Sequence, residues 1–136
     1  MSKIVFMKGL PGSSKSTFAR EYMKTNPNTL RVNKDDLRAM LSNGGFNKKL
    51  EKVTVASSRC VAGIALQNGL DVIIDDTNFN PIHEKAFRQM ANNYNAEFAI
   101  IEMTTPIEEC IRRDSLRENP VGEEVIRSMA KKWGVE

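Results

Sequence analysis

The chain of 136 residues has one histidine, two cysteines and no apolar run near the roughly 20 residues that cross a bilayer. Each shortage excludes something. The lone histidine, His83, has no serine or cysteine partner in an evident arrangement and reads as a surface residue. Cys60 and Cys110 fall singly in helical patterns and read as small buried side chains, not as a disulfide or a metal site. Without a membrane span or a signal-peptide pattern, the expected location is cytoplasmic, with no membrane partner. The formal net charge of +3 is too small to establish a nucleic-acid partner. Repeats, low-complexity tracts and linkers are missing too. With 40% hydrophobic and 27% charged residues, the chain fits one soluble domain spanning residues 1–136.

What is present is an alternation of short apolar runs and amphipathic stretches. Ile4 to Met7, Thr29 to Val32, Val72 to Ile74 and Phe98 to Glu102 read as strands buried on both sides. The stretches between them suit helical crossovers, which predicts an α/β fold with a central parallel sheet of about four strands. From about Phe46 to Asn68, Leu50, Val53, Ala56, Cys60 and Ile64 recur at helical spacing and form a packing stripe, preceded by a helix-ending turn at Asn43-Gly44-Gly45. Asn80 caps a helix opening at Pro81, and Thr105 with Glu108 forms a capping box around Pro106. In the last helix Val125, Ile126, Met129, Ala130 and Trp133 share a face, with Trp133 a core anchor.

In open parallel sheets ligands sit beyond the carboxyl ends of the strands, and three of those ends carry chemistry. The first leads into Gly9-Leu10-Pro11-Gly12-Ser13-Ser14-Lys15-Ser16-Thr17. A strand, glycines and then Lys-Ser-Thr opening a helix form a triphosphate cradle: backbone N–H groups face the anion, Lys15 adds charge and Ser16 offers a magnesium ligand. The usual second glycine is replaced by Ser14, whose side chain would crowd a phosphate.

The second strand end delivers Asn33-Lys34-Asp35-Asp36-Leu37-Arg38 and the third Asp75-Asp76-Thr77-Asn78. Asp35 either caps the following helix or takes the proton of an attacking hydroxyl. Arg38, one turn later, suits a phosphate on the acceptor or a buried pairing with Asp35 or Asp76. Of Asp75 and Asp76, only one faces the cleft, because side chains alternate along a strand. Farther on, Arg112, Arg113, Arg117, Arg127, Lys131 and Lys132 crowd the last quarter, either holding a polyanion or a nucleotide or lying along a solvated helix face. The segment around Arg113 and Arg117 suits a lid at about residues 111–122, the other reading being an exposed basic helix end.

Taken in order, the loop at residues 9–17, Asn33 to Arg38, Asp76-Thr77-Asn78-Phe79-Asn80-Pro81, Arg113 to Arg117 and Val125 to Met129 resemble the kinase domain of bacteriophage-type polynucleotide 5′-kinases. The resemblance spans nearly the whole chain. It implies a phosphate-loop NTPase-like three-layer sandwich with a C-terminal helical lid, using ATP and Mg²⁺ on DNA or RNA 5′-OH ends. Lys15, Asp35 and Arg117 would be catalytic. Gly9, Gly12, Ser13, Ser14, Lys15, Ser16, Thr17, Arg113 and Arg117 would hold the nucleoside triphosphate, Arg38, Asp76 and Asn78 the acceptor, and Ser16 and Asp76 the metal. No acidic D-x-D phosphatase segment follows, so kinase activity alone is expected; a homo-oligomer stays open. Competing readings are a kinase of a small-molecule or nucleoside acceptor and a nucleotide- or end-binding module weakened by Ser14.

Overall fold

The structure is a computed structural model that describes residues 1–43 and 47–135. Gly44, Gly45 and Phe46, read above as part of a turn and as a helix start, lie outside the described residues. The elements run β1 (Lys3–Lys8), α1 (Lys15–Thr25), β2 (Thr29–Val32), α2 (Lys34–Leu41), α3 (Lys48–Gln67), β3 (Asp71–Ile74), α4 (Pro81–Asn93), β4 (Glu97–Glu102), α5 (Ile107–Ser115) and α6 (Glu123–Trp133). All strand pairs are parallel, in the order β2-β3-β1-β4, with Ile4 beside both Val72 and Phe98. The four strands fall where the apolar runs place them.

Alternation along the strands divides the core into two layers. Ile4, Phe6, Val72 and Ile74 face α3 and α4, through Ala62, Ala65, Leu66, Phe87 and Ala91. Val5, Met7 and Ile73 face the opposite way, onto Ala19 of α1. A third cluster joins Leu10 of the loop to Cys110, Ile126 and Ala130, so α5 and α6 pack on the end of the sheet where the loop lies. Only β1 and β3 are buried along their length; β2 and β4 are edges, half open, which corrects the expectation for those two strands.

Several local expectations change for identifiable reasons. On α3 the buried residues are Thr54, Ser58, Ala62, Gly63, Ala65 and Leu66, while Leu50, Val53, Cys60 and Ile64 are exposed. Two sets at helical spacing coexist in this helix, and the set of smaller residues lies against the sheet. Asn80 caps α4 as expected, accepting from the N–H of Ile82 at 3.1 Å. Thr105 forms no capping box; α5 has no side-chain cap, and the Thr105 hydroxyl donates to the Ser13 carbonyl at 3.1 Å. Trp133 is half-buried beneath Lys132, whose ammonium lies 5.0 Å from the ring centroid. Among the described residues no helix is long and apolar enough to cross a membrane.

Candidate active site

The ends of β1, β2 and β3 open into a cleft of about 670 Å³. Its floor is the loop between β1 and α1. Gly12 has a φ of 81° and lies so close to α5 that a Cβ would stand 2.3 Å from the Cys110 carbonyl oxygen. A Cβ at Gly9 would meet the Ser13 hydroxyl at 2.7 Å. Both positions thus require glycine for packing. Ser14 also occupies the left-handed region, at φ 73° and ψ 26°, and its hydroxyl accepts a 2.6 Å bond from Arg113. Lys15 curls over the loop, its Nζ 2.9 Å from the Gly9 oxygen and 2.8 Å from the Leu10 oxygen. Burial lowers its pKa to about 8 even though Asp75 and Asp76 oppose the shift.

Asp75 and Asp76, just past β3, both line the cleft, which corrects the expectation that only one of them faces it, because the alternation of side chains does not carry past the end of the strand at Ile74. Asp75 is fully buried; its Oδ2 accepts from the Ser16 hydroxyl and from Arg31 Nε, each at 2.8 Å. Its Oδ1 is buried with no hydrogen-bond partner among the described residues. Asp76 instead accepts from the backbone N–H of Lys34 at 2.9 Å, and burial raises its pKa to about 7. Ser16 therefore stands beside Asp75 and not Asp76. The hydroxyl, the adjacent carboxylate with a spare oxygen and the glycine cradle fit a magnesium–triphosphate group, since magnesium is commonly held by one or two carboxylates together with substrate phosphates.

Opposite the loop, the start of α2 presents Asp35 and Arg38 to the cleft. Asn33 caps this helix, accepting from Asp36 N–H at 2.8 Å, which leaves Asp35 free of capping and 79% exposed. Arg38 bonds Asp35 at 2.6 Å and grips Glu51 of α3 with two 2.9 Å bonds. Those bonds, first to Glu51, raise the Arg38 pKa further and lower that of Glu51. Arg38 makes no pairing with Asp76. Glu51 and Arg31 were missed by sequence reasoning, the first because it lies on a distant helix and the second because it sits inside a strand, bonding Asp75 and Asp36.

Arg113 and Arg117 line the cleft from the end of α5, with Arg113 also bonding Glu109 at 3.0 Å. Thr17 lines it as well, whereas Gly9 and Ser13 shape it from behind. Asn78 does not reach the cleft. At φ 55° it turns inward, buried, and donates to the Met7 carbonyl at 2.7 Å, so it braces the end of β1 instead of meeting an acceptor.

A family model described as an AAA domain matches residues 4–134. The L-seryl-tRNA(Sec) kinase of Methanococcus maripaludis is 25% identical over 134 residues, covering 96% of this chain and 52% of that protein. A protein of Autographa californica nuclear polyhedrosis virus that carries the name bifunctional polynucleotide kinase/RNA ligase is 25% identical over 147 residues, covering 96% of this chain and 21% of that one. A chain from the Pnkp1/Rnl/Hen1 RNA repair complex superposes with a TM-score of 0.78 at 27% identity, covering 98% of this chain and 44% of that one. The chain thus spans about half or less of these relatives.

Proposed function

The chain belongs to this AAA-domain family, and from that premise we propose that it is a kinase transferring the γ-phosphoryl group of ATP to the 5′-hydroxyl end of DNA or RNA. The observation that carries the reading is the two-sided cleft, with Lys15 and Ser16 on a glycine cradle facing an open carboxylate, Asp35, tied to Arg38. A binding module for nucleotide alone has no use for the second side. The names of the relatives, kinases acting on polynucleotide or on a tRNA-borne seryl group, agree with an acceptor hydroxyl presented on nucleic acid.

In the reaction, the acceptor hydroxyl lies against Asp35, which takes its proton as the oxygen forms a bond to the γ-phosphorus. The bond from phosphorus to the β,γ-bridging oxygen breaks, and its electrons leave with ADP. Lys15, Arg113 and Arg117 hold the donor phosphates and balance the charge spread over the transferred group. Arg38 holds a phosphate of the acceptor. Magnesium, when bound by the triphosphate and Ser16 beside Asp75, adds neutralising charge to the donor.

The test is transfer of label from γ-labelled ATP to a 5′-hydroxyl oligonucleotide, with a 5′-phosphorylated control and with serine and free nucleosides as rival acceptors. Label on the first alone is expected. Asp35→Asn should lower kcat at least about a hundredfold while ATP affinity by calorimetry stays within about twofold of the parent; full activity in this variant would remove Asp35 from the role of base.

A further inference from the structure

The +3 net charge hides an uneven pairing of the cations. In the last-quarter cluster read from sequence as a candidate polyanion surface, Lys131 and Lys132 have no ion-pair partner among the described residues, but the four arginines all have carboxylate partners: Arg112 and Arg113 with Glu109, Arg117 with Asp114, Arg127 with Glu108 and Glu123. Lys48, Lys52 and Arg59 of α3 have none among the described residues, and Arg59 Nε is buried without a hydrogen-bond partner there. These three recur at spacings of four and seven along one helix face. With Val55 and Ala56 they line a shallow, open hollow of about 450 Å³ along the surface of α3. Among the described residues that line it, Glu51 is the only carboxylate, and both of its oxygens already serve Arg38.

Arg38 stands at the rim of the cleft and Glu51 at the rim of the hollow, so their ion pair is the seam between the two. We propose that an acceptor strand whose 5′-hydroxyl lies at Asp35 and whose first phosphate meets Arg38 continues across this seam, with its downstream phosphates on Lys48, Lys52 and Arg59. The inference rests on the kinase reading above and deepens it from an acceptor end to an acceptor of several nucleotides. From Lys48 to Arg59 the helix rises about 16 Å, the length of several stacked nucleotides. Val55 and Ala56 give an apolar floor for sugars and bases between the cations. A nucleoside or small metabolite would leave this surface without use, and an acidic protein segment would satisfy its charge but not its continuity with the hydroxyl-directed carboxylate.

The experiment measures kcat/KM for a 3′-phosphorylated mononucleoside and for 5′-hydroxyl oligonucleotides of increasing length, at several salt concentrations. The parent should gain efficiency with length. Lys48→Ala, Lys52→Ala and Arg59→Ala combined should cut the ratio of long-acceptor to mononucleoside efficiency by about tenfold or more, and flatten the salt dependence of oligonucleotide binding by a slope of about 2 for three lost contacts. Because Arg59 is partly buried, Lys48→Gln with Lys52→Gln provides a second, exposed pair, expected to give about two thirds of that change in slope. If the mononucleoside is phosphorylated but neither length nor these substitutions matter, the groove is overturned while the kinase reading stands. If an acidic peptide displaces the labelled oligonucleotide's downstream half without affecting transfer, the groove belongs to a protein partner and the proposal fails. If the parent phosphorylates no acceptor at all, the kinase reading falls, and the groove proposal with it.

Discussion

At the scale of single residues, Ser14 shows how a departure from a motif changes meaning once backbone geometry is known. The sequence alone suggests a side chain crowding a phosphate. The structure shows a left-handed backbone at φ 73°, which costs an L-residue about 1–2 kcal/mol, and a hydroxyl held by Arg113 at 2.6 Å. Strain and anchor oppose each other. Ser14→Gly should relieve the strain and raise stability by about 1 kcal/mol, or roughly 4 °C in Tm for a domain of this size. Ser14→Ala keeps the strain and loses the anchor, so it should melt below the parent. Thermal unfolding of the three proteins orders them glycine, serine, alanine; a glycine variant that melts lower would show that the Arg113 bond outweighs the strain. The acidic pair teaches the same lesson. Alternation predicts that one of Asp75 and Asp76 turns from the cleft, yet both line it, because the strand ends at Ile74, and only their partners, Ser16 for Asp75 and the Lys34 N–H for Asp76, tell them apart.

At the scale of elements, the strands and most helix starts were legible because each has a strong local cause: an apolar run, or a cap such as Asn80 before Pro81. What was not legible depended on partners distant in sequence. The apolar stripe on α3 lost to a stripe of smaller residues because the sheet it covers lies close, and Thr105 left its helix to bond the phosphate loop. Asp114 belongs to this class. Buried at the end of α5, it accepts from the N–H groups of Val121 and Gly122 at 3.1 and 2.9 Å, and so fixes how α6 begins. Asp114→Ala would leave two backbone donors without their acceptor and should destabilise the chain by about 2 kcal/mol. Urea unfolding measures the loss, and hydrogen exchange should locate it at residues 114–123. A uniform rise in exchange across the sheet instead would mean that α5 and α6 do not form a separable unit.

At the scale of the whole molecule, α2, α3 and α4 meet around the single histidine, which makes that residue a reporter of both stability and binding. His83 is half-buried, with Lys34, Arg59 and Glu51 about it; burial first, then Lys34 and Arg59, lower its pKa from 6.5 to about 4, against the pull of Glu51. The unfolded chain therefore takes up this proton near pH 6.5 and the folded chain only near pH 4. More protons bound by the unfolded state mean that stability rises with pH across the window. The stability that His83 permits is present above pH 6.5 and is lost as the pH falls toward 4. His83→Gln should lose less stability than the parent between pH 7 and pH 4.5 in urea titrations, and an equal loss would place the imidazole in an ordinary solvated setting. The same group tests occupancy of the groove. Phosphates arriving at Arg59 would offset the positive field that helps to hold His83 neutral, so its midpoint should move upward when an oligonucleotide binds. Because the chain has one histidine, its imidazole C–H resonances can be followed by NMR without assignment of the rest. A midpoint near 4 in the free protein and a higher one with an oligonucleotide are expected, with no such rise for a nucleoside lacking phosphate; an unchanged midpoint under saturating oligonucleotide would put the strand elsewhere.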